Sequence, residues 1–132
     1  LMHLGKESHW VWDDTTPSMG KGDLFICACG SADVAHENTL CDNAKKTGAT
    51  LILITPSAKG HILEIADKVI RIPATAYKAV YNSEDEYVPT VQMMGNQFEQ
   101  ALLVFFDVIV MMISEEMGIS KEEMESRHRN IE

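Results

Sequence analysis

Short apolar runs alternate with helical stretches along this chain, and that alternation restricts it to an α/β domain built on a parallel sheet. Residues 23–29 and 50–55 are strand-like runs bounded by Gly, Pro or Asp. Between them, residues 34–47 read as a helix closed by Gly48, with Lys45 and Lys46 in the last turn, where the helix dipole favours cations. That is one βαβ crossover. A second follows from a candidate helix at 57–66 and a shorter strand at 68–72, and residues 9–12 read as a further strand. The near-continuous apolar character of the strands implies burial on both faces. Residues 75–92, with acidic Ser83-Glu84-Asp85-Glu86 and then Pro89, read as an irregular, solvated excursion.

At 132 residues and 45% hydrophobic content, the chain has the size of one domain with a usable core. A formal net charge of -9 argues against a nucleic-acid partner, because such binding relies on clustered Lys and Arg. An anionic small ligand would need locally arranged donors instead. The cysteines Cys27, Cys29 and Cys41 are odd in number, and Cys27-x-Cys29 in a strand points both thiols to one face without a second ligand pair. They read as reduced, structural thiols of a cytosolic protein. No His, Cys and carboxylate cluster has metal-ligand spacing, so neither a metal nor a cofactor is expected. No signal peptide opens the chain, and the apolar run 101–113 is shorter than the roughly 20 residues a bilayer requires. A soluble, cytoplasmic protein without a membrane partner is the expectation.

The run 101–113 is apolar everywhere except Asp107 and leaves no solvated face, so its helix is expected to be buried. Late methionines, among them Met111, Met112, Met117 and Met124, suit adaptable packing. Glu99 stands at the mouth of this helix, where Asn96-Gln97-Phe98-Glu99 fits a capping box in which the glutamate bonds back to the cap. Asp107 reads as a structural hydrogen-bonding group. Cys29-Gly30-Ser31-Ala32-Asp33-Val34 fits a strand-to-helix turn with Asp33 as N-cap. Leu1-Met2-His3-Leu4-Gly5 looks like the last turn of a helix stopped by glycine, with no helix start before it. His9, His36 and His61 match no motif and suit surface positions.

Five separated segments carry a resemblance. Leu1-Met2-His3-Leu4-Gly5, Thr15-Thr16-Pro17, Gly22-Asp23-Leu24, Gly95-Asn96-Gln97-Phe98-Glu99-Gln100-Ala101-Leu102 and Arg127-His128-Arg129-Asn130-Ile131-Glu132 fall in the order and approximate spacing of the SIS (sugar isomerase) phosphosugar-binding family. Within it the chain resembles the 6-phospho-3-hexuloisomerases, over nearly its whole length. The resemblance implies an α/β fold, a three-layer α-β-α sandwich with a parallel sheet of flavodoxin-like or Rossmann-like type, and a long buried C-terminal helix. It also implies a homo-oligomer, a tetramer or a dimer, that would cover that helix. Residues 1–132 would form a single phosphosugar-binding domain that lacks the family's N-terminal helix, first strand and Gly-rich turn. That turn carries a phosphosugar contact, including an Arg, to which no residue here corresponds.

The same resemblance implies an isomerase acting on a phosphorylated sugar, interconverting 3-hexulose 6-phosphate and fructose 6-phosphate through an enediolate. Glu99 would be the base, since moving a proton between adjacent carbons requires a carboxylate of this kind. His128 and His3 would assist ring opening and proton transfer near neutral pH. Ser31, with Gly30 and the Asp33 turn, would hold the phosphate through backbone N–H groups and a hydroxyl, and Thr15 and Thr16 would shape the pocket. The loop departs from the family's Ser-Gly-Ser-Gly-Glu-Thr type sequence at Cys29 and Val34, where hydroxyls are expected, and each lost hydrogen bond to a charged acceptor costs about 1.5–3 kcal/mol. Two alternatives stand beside it: the altered loop suits a module that binds phosphosugar without turning it over, and a resemblance in fold alone would leave an oligomeric interaction protein with no sugar ligand.

Overall fold

The computed structural model describes residues 1–131, so Glu132, the last residue of the tail motif, lies outside the described residues. The chain divides into two compact units, Ser18–Ala101 and the pair of segments Leu1–Pro17 and Leu102–Glu132.

The first unit is the α/β core. Its strands β1 (Leu24–Ala28), β2 (Thr50–Thr55) and β3 (Lys68–Arg71) form a parallel sheet in the order β1-β2-β3, with Leu24 opposite Thr50 and Ile52 opposite Lys68. The helix α1 (Ala35–Thr47) makes the first crossover and the short α2 (His61–Ile65) the second, and the two helices pack against each other. Both therefore lie on one face of the sheet. The core there is Cys27, Cys29, Ala32, Cys41, Leu51, Leu53 and Ile62. Gly48, at φ 86°, ends α1 and returns its N–H to the Lys45 carbonyl at 3.1 Å. Lys45 reaches across to Asp67 at 2.5 Å, and Asp67 in turn accepts the Leu51 N–H at 2.8 Å, so one carboxylate ties α1 to the starts of β2 and β3.

Burial on both faces, as the apolar runs suggest, holds for β2 but not for β1. Leu24 is 59% and Ile26 43% exposed, while Cys27 points into the core. The crossover helices α1 and α2 pack on the face that Cys27 enters, while Leu24 and Ile26, alternating with it along the strand, point to the other.

Three local expectations are corrected. Residues 9–12 form no strand, because Asp13 and Thr16 turn the chain back on the Trp10 carbonyl at 2.9 and 2.6 Å and leave no partner to pair with. The helix expected over 57–66 shrinks to α2. Ser57 folds into the loop instead, donating to the Lys59 carbonyl at 2.8 Å and accepting the Val80 N–H at 2.9 Å. The Asp33 cap does not form, since Val34 occupies the N-cap position of α1 without a side-chain bond, and Asp33 accepts from Asn38 at 2.7 Å. Residues 75–92 are irregular as expected, with one 3-10 turn at Glu84–Glu86 and a single bridge between Ala74 and Val88.

The helix α3 (Asn96–Met117) begins in the α/β core and continues into the second unit. It is long, as expected, but it is not buried: Phe98 is its one buried residue, and Leu103 and Met111 are 68% and 70% exposed. The run taken as too short for a bilayer sits in a helix of 22 residues that is long and apolar enough to cross a membrane by length and composition. The second unit also contains a 3-10 turn at Met2–Leu4 and α4 (Lys121–Ser126), which pack together. Ser120 caps α4 by accepting the Glu123 N–H at 3.1 Å.

Candidate active site

The sequence candidates fall into two groups, one in each unit.

In the α/β core, Gly30, Ser31 and Asp33 occupy the turn from β1 to α1, at the carboxyl end of the parallel strands, where open α/β sheets bind ligands. The turn is tightly built. A Cβ on Gly30 would stand 2.9 Å from the Ala76 Cβ, so only glycine fits against that segment. The Gly30 carbonyl accepts from the Thr55 hydroxyl at 3.3 Å, and Ala32 takes a left-handed φ of 55°. The Ser31 side chain is buried and accepts the Asp33 N–H at 3.3 Å, so its oxygen already supports the turn. Cys29, beneath it, is raised above the ordinary thiol range mainly by burial, and Cys27 is raised by donating a hydrogen bond to Cys41. All three cysteines are free and buried, in keeping with structural thiols. Because α1 starts without a side-chain cap, its first N–H groups are left to other acceptors.

Glu99 lies exposed in the first turn of α3. Its N–H bonds to the Gly95 carbonyl at 3.0 Å, and Oε1 folds back to within 3.5 Å of the point where a Gly95 Cβ would be. The Asn96 N–H goes to the Met93 carbonyl at 3.2 Å, so the capping box does not form. The carboxylate is thus not spent on the cap. The helix mouth is secured instead by Gln97, whose side-chain oxygen accepts the Thr75 N–H at 2.6 Å.

In the other unit, the two ends of the sequence meet. His3 sits in the Met2–Leu4 turn, which Gly5 closes at φ 73°, as the helix-stop pattern implies. His128 follows α4. Their rings touch, Nδ1 of His128 to Nε2 of His3 at 3.1 Å, with centroids 5.1 Å apart. Which ring nitrogen donates and which accepts is set by the tautomers of the two imidazoles. They open on a cleft of about 320 Å³ lined also by Ser114, Lys121, Met124 and Glu125. Arg127 joins the two ends, donating to the His3 carbonyl at 2.8 Å and pairing with Glu123. Thr15 and Thr16 belong to this unit but their hydroxyl protons are spent locally, on Asp13 at 2.8 Å and on the Trp10 carbonyl at 2.6 Å. Those bonds from Thr15, the backbone one first, hold the Asp13 carboxyl below its usual range.

Three residues carry site geometry that the pattern of the sequence does not announce. Arg127 is legible only as part of the tail motif, and Lys121 and Ser114 carry no signal in the sequence. No group of His, Cys, Asp and Glu suited to a metal occurs among the described residues.

No family model matches the chain. Among curated proteins it is 33% identical over 132 residues to the 3-hexulose-6-phosphate isomerase of Bacillus subtilis, covering all of this chain and 69% of that protein. It is likewise 33% identical over 132 residues to the 3-hexulose-6-phosphate isomerase of Mycobacterium gastri, of which it covers 64%. Among solved structures it superposes with a TM-score of 0.78 and 31% identity on a hypothetical protein of Methanococcus jannaschii whose structure led to an inferred function of 3-hexulose-6-phosphate isomerase. That match covers 99% of this chain and 67% of the other. The chain thus spans about two thirds of the length of the proteins it matches.

Proposed function

Because this chain belongs to the 3-hexulose-6-phosphate isomerase family, we propose that it interconverts 3-hexulose 6-phosphate and fructose 6-phosphate. The reaction moves a carbonyl one carbon along a sugar. A base removes the proton from the hydroxyl-bearing carbon beside the carbonyl, an enediolate forms, and a proton returns to the former carbonyl carbon. No atom is gained or lost.

The observation that carries this reading is the imidazole pair of His3 and His128 on its cleft. Two residues from opposite ends of the sequence meet ring to ring, nitrogen to nitrogen at 3.1 Å. Such a pair suits opening of the sugar ring, which requires a proton to leave one oxygen and reach another. Glu99 is the base of the proposal, free of the capping role that would have occupied its carboxylate. Ser31, Gly30 and the Asp33 turn form the phosphate cradle, with the uncapped N-terminus of α1 contributing N–H groups and the positive end of its dipole. The Ser31 oxygen accepts from Asp33 and also stands 3.9 Å from the Cys29 sulfur, so in this reading a bound phosphate competes with that sulfur for the hydroxyl proton. Thr15 and Thr16, engaged in their own turn, shape the approach rather than bind.

The exposed apolar side chains of α3 support a homo-oligomer, with a tetramer as the form proposed. The substrate follows the relatives' names, and the experiment that tests it is direct. 3-Hexulose 6-phosphate is supplied to the protein and fructose 6-phosphate is followed by a coupled assay, while melting temperature is read with and without fructose 6-phosphate. Turnover supports the isomerase. Stabilisation by phosphosugar without turnover overturns it in favour of a binding module, since a ligand that binds only the folded state raises its stability.

A further inference from the structure

His3 and His128 are 125 positions apart, and the contact between their exposed rings is not strong enough to hold itself. A hydrogen bond between neutral groups gains little more than is lost in fixing the two side chains that make it. Something else must fix the rings. The Met2–Leu4 turn contributes one, and the residue after the C-cap of α4 contributes the other, with the His128 N–H held by the Glu125 carbonyl at 3.0 Å.

Arg127 supplies the link. One arm of its guanidinium donates to the His3 backbone carbonyl at 2.8 Å, and the other pairs with Glu123 on α4. The guanidinium carbon lies 3.4 Å from where a Cβ on Gly5 would be, so the plane lies against a glycine. At φ 73° that position already favours glycine, and a side chain there would also crowd the arginine. Arg127 is about one third exposed at its side chain, and it precedes His128 directly, so the residue that grips His3 also fixes the backbone that presents His128. A planar fork of donors at fixed angles does this; a lysine ammonium on a flexible stem offers only a point contact.

We infer that Arg127 is a positioning residue of the active site, acting through the His3 carbonyl and the start of the tail to hold the two imidazoles in contact. The inference rests on the proposed catalytic use of that pair, and it extends the proposal to a residue that bonds the His3 carbonyl and adjoins His128 in the chain. Misplacing a proton-transfer group by about 1 Å costs on the order of 100-fold in rate, so the effect belongs in kcat.

The test uses Arg127→Met, which keeps the apolar stem and removes the donors, beside Arg127→Lys and His3→Gln in the full chain. In Arg127→Met, kcat falls by roughly 10–100-fold with KM within about 3-fold of the parent, and Arg127→Lys recovers part of the loss. Independently of turnover, the ring nitrogen resonances of His128 are read by NMR. His3→Gln shifts them in the parent chain and leaves them unmoved once Arg127→Met is present. Should Arg127→Met fail to fold, Arg127→Lys carries both readouts, with a lowered kcat and a weakened shift expected. A parent-like kcat in Arg127→Met, a change in KM alone, or a His128 signal that still answers to His3→Gln without the arginine overturns the positioning role. A parent protein with no turnover but with the arginine-dependent ring coupling would remove the isomerase reading and leave the clamp intact.

Discussion

At Gly60 the backbone leaves no room for a side chain. With φ at 146°, a Cβ there would lie 2.4 Å from the Ala32 carbonyl oxygen, which itself accepts the Ile62 N–H at 3.0 Å. The close approach lets the loop after β2 pass over the turn after β1, which is the proposed phosphate cradle. Gly60→Ala is expected to cost about 3 kcal/mol, combining a disfavoured φ with a clash against backbone that cannot swing aside. Urea unfolding of the two proteins measures it, and a loss below roughly 1 kcal/mol would mean that the loop relaxes away from Ala32. Nothing in the sequence distinguishes Gly60 from any other loop glycine, because the constraint comes from a residue 28 positions earlier, Ala32. Glu99 is different. Its place before an apolar run was legible, yet whether it caps the helix depends on where the Asn96 N–H turns, and only the fold decides that.

Among the elements, α1 and α2 are joined by a histidine–carboxylate pair. His61 donates to the Asp42 carboxylate at 2.9 Å, and that hydrogen bond, ahead of the charge attraction, raises the imidazole above its ordinary range. A group whose folded pKa is raised contributes stability that is fully present below its unfolded value, near 6.5, and is lost as pH rises through the folded value. Asp67 runs the other way. Its hydrogen bond from Lys45, then that from Leu51, lowers its carboxyl, so its contribution is present above the unfolded value and is lost as pH falls through the folded one. Asp42→Ala should therefore melt below the parent at about pH 5.5 and match it at about pH 9. A gap of equal size at both values would show that Asp42 acts by packing and not through the histidine.

The elements themselves were largely legible. Apolar runs between glycine stops located the three strands and α1 to within a residue, because short buried strands and a left-handed C-cap are written in local chemistry. The strand expected at 9–12 failed because strand propensity without a partner is spent on the Asp13 turn. The long candidate helix at 57–66 failed because Ser57 is consumed by a loop 23 residues away at Val80. The meeting of His3 with His128 was legible only as a match of two distant motifs to one family.

For the whole molecule, the unresolved cost in a single chain is apolar surface. Along α3, Leu103, Val104, Val108, Met111 and Met112 are all exposed, and apolar side chains gathered on one helix are the kind of surface that marks an interaction site. If this surface packs against a second copy, light scattering after size exclusion gives a mass at least twice the 14.7 kDa of the chain. Placing glutamate at Leu103 and Met111 should return it to that single-chain mass. A monomeric parent would contradict the assembly and leave α3 to some other cover.

The central claim is that Glu99 moves the proton in an isomerisation of hexulose 6-phosphate. Glu99→Gln keeps the size and polarity of an exposed side chain and removes only its basicity, so it should leave the melting temperature and its rise with fructose 6-phosphate unchanged. Steady-state conversion of 3-hexulose 6-phosphate by the parent and by this variant is the most direct measurement. The expected result is a fall in kcat of about 100-fold or more with KM little altered. A variant that turns over at the parent's rate would contradict the account.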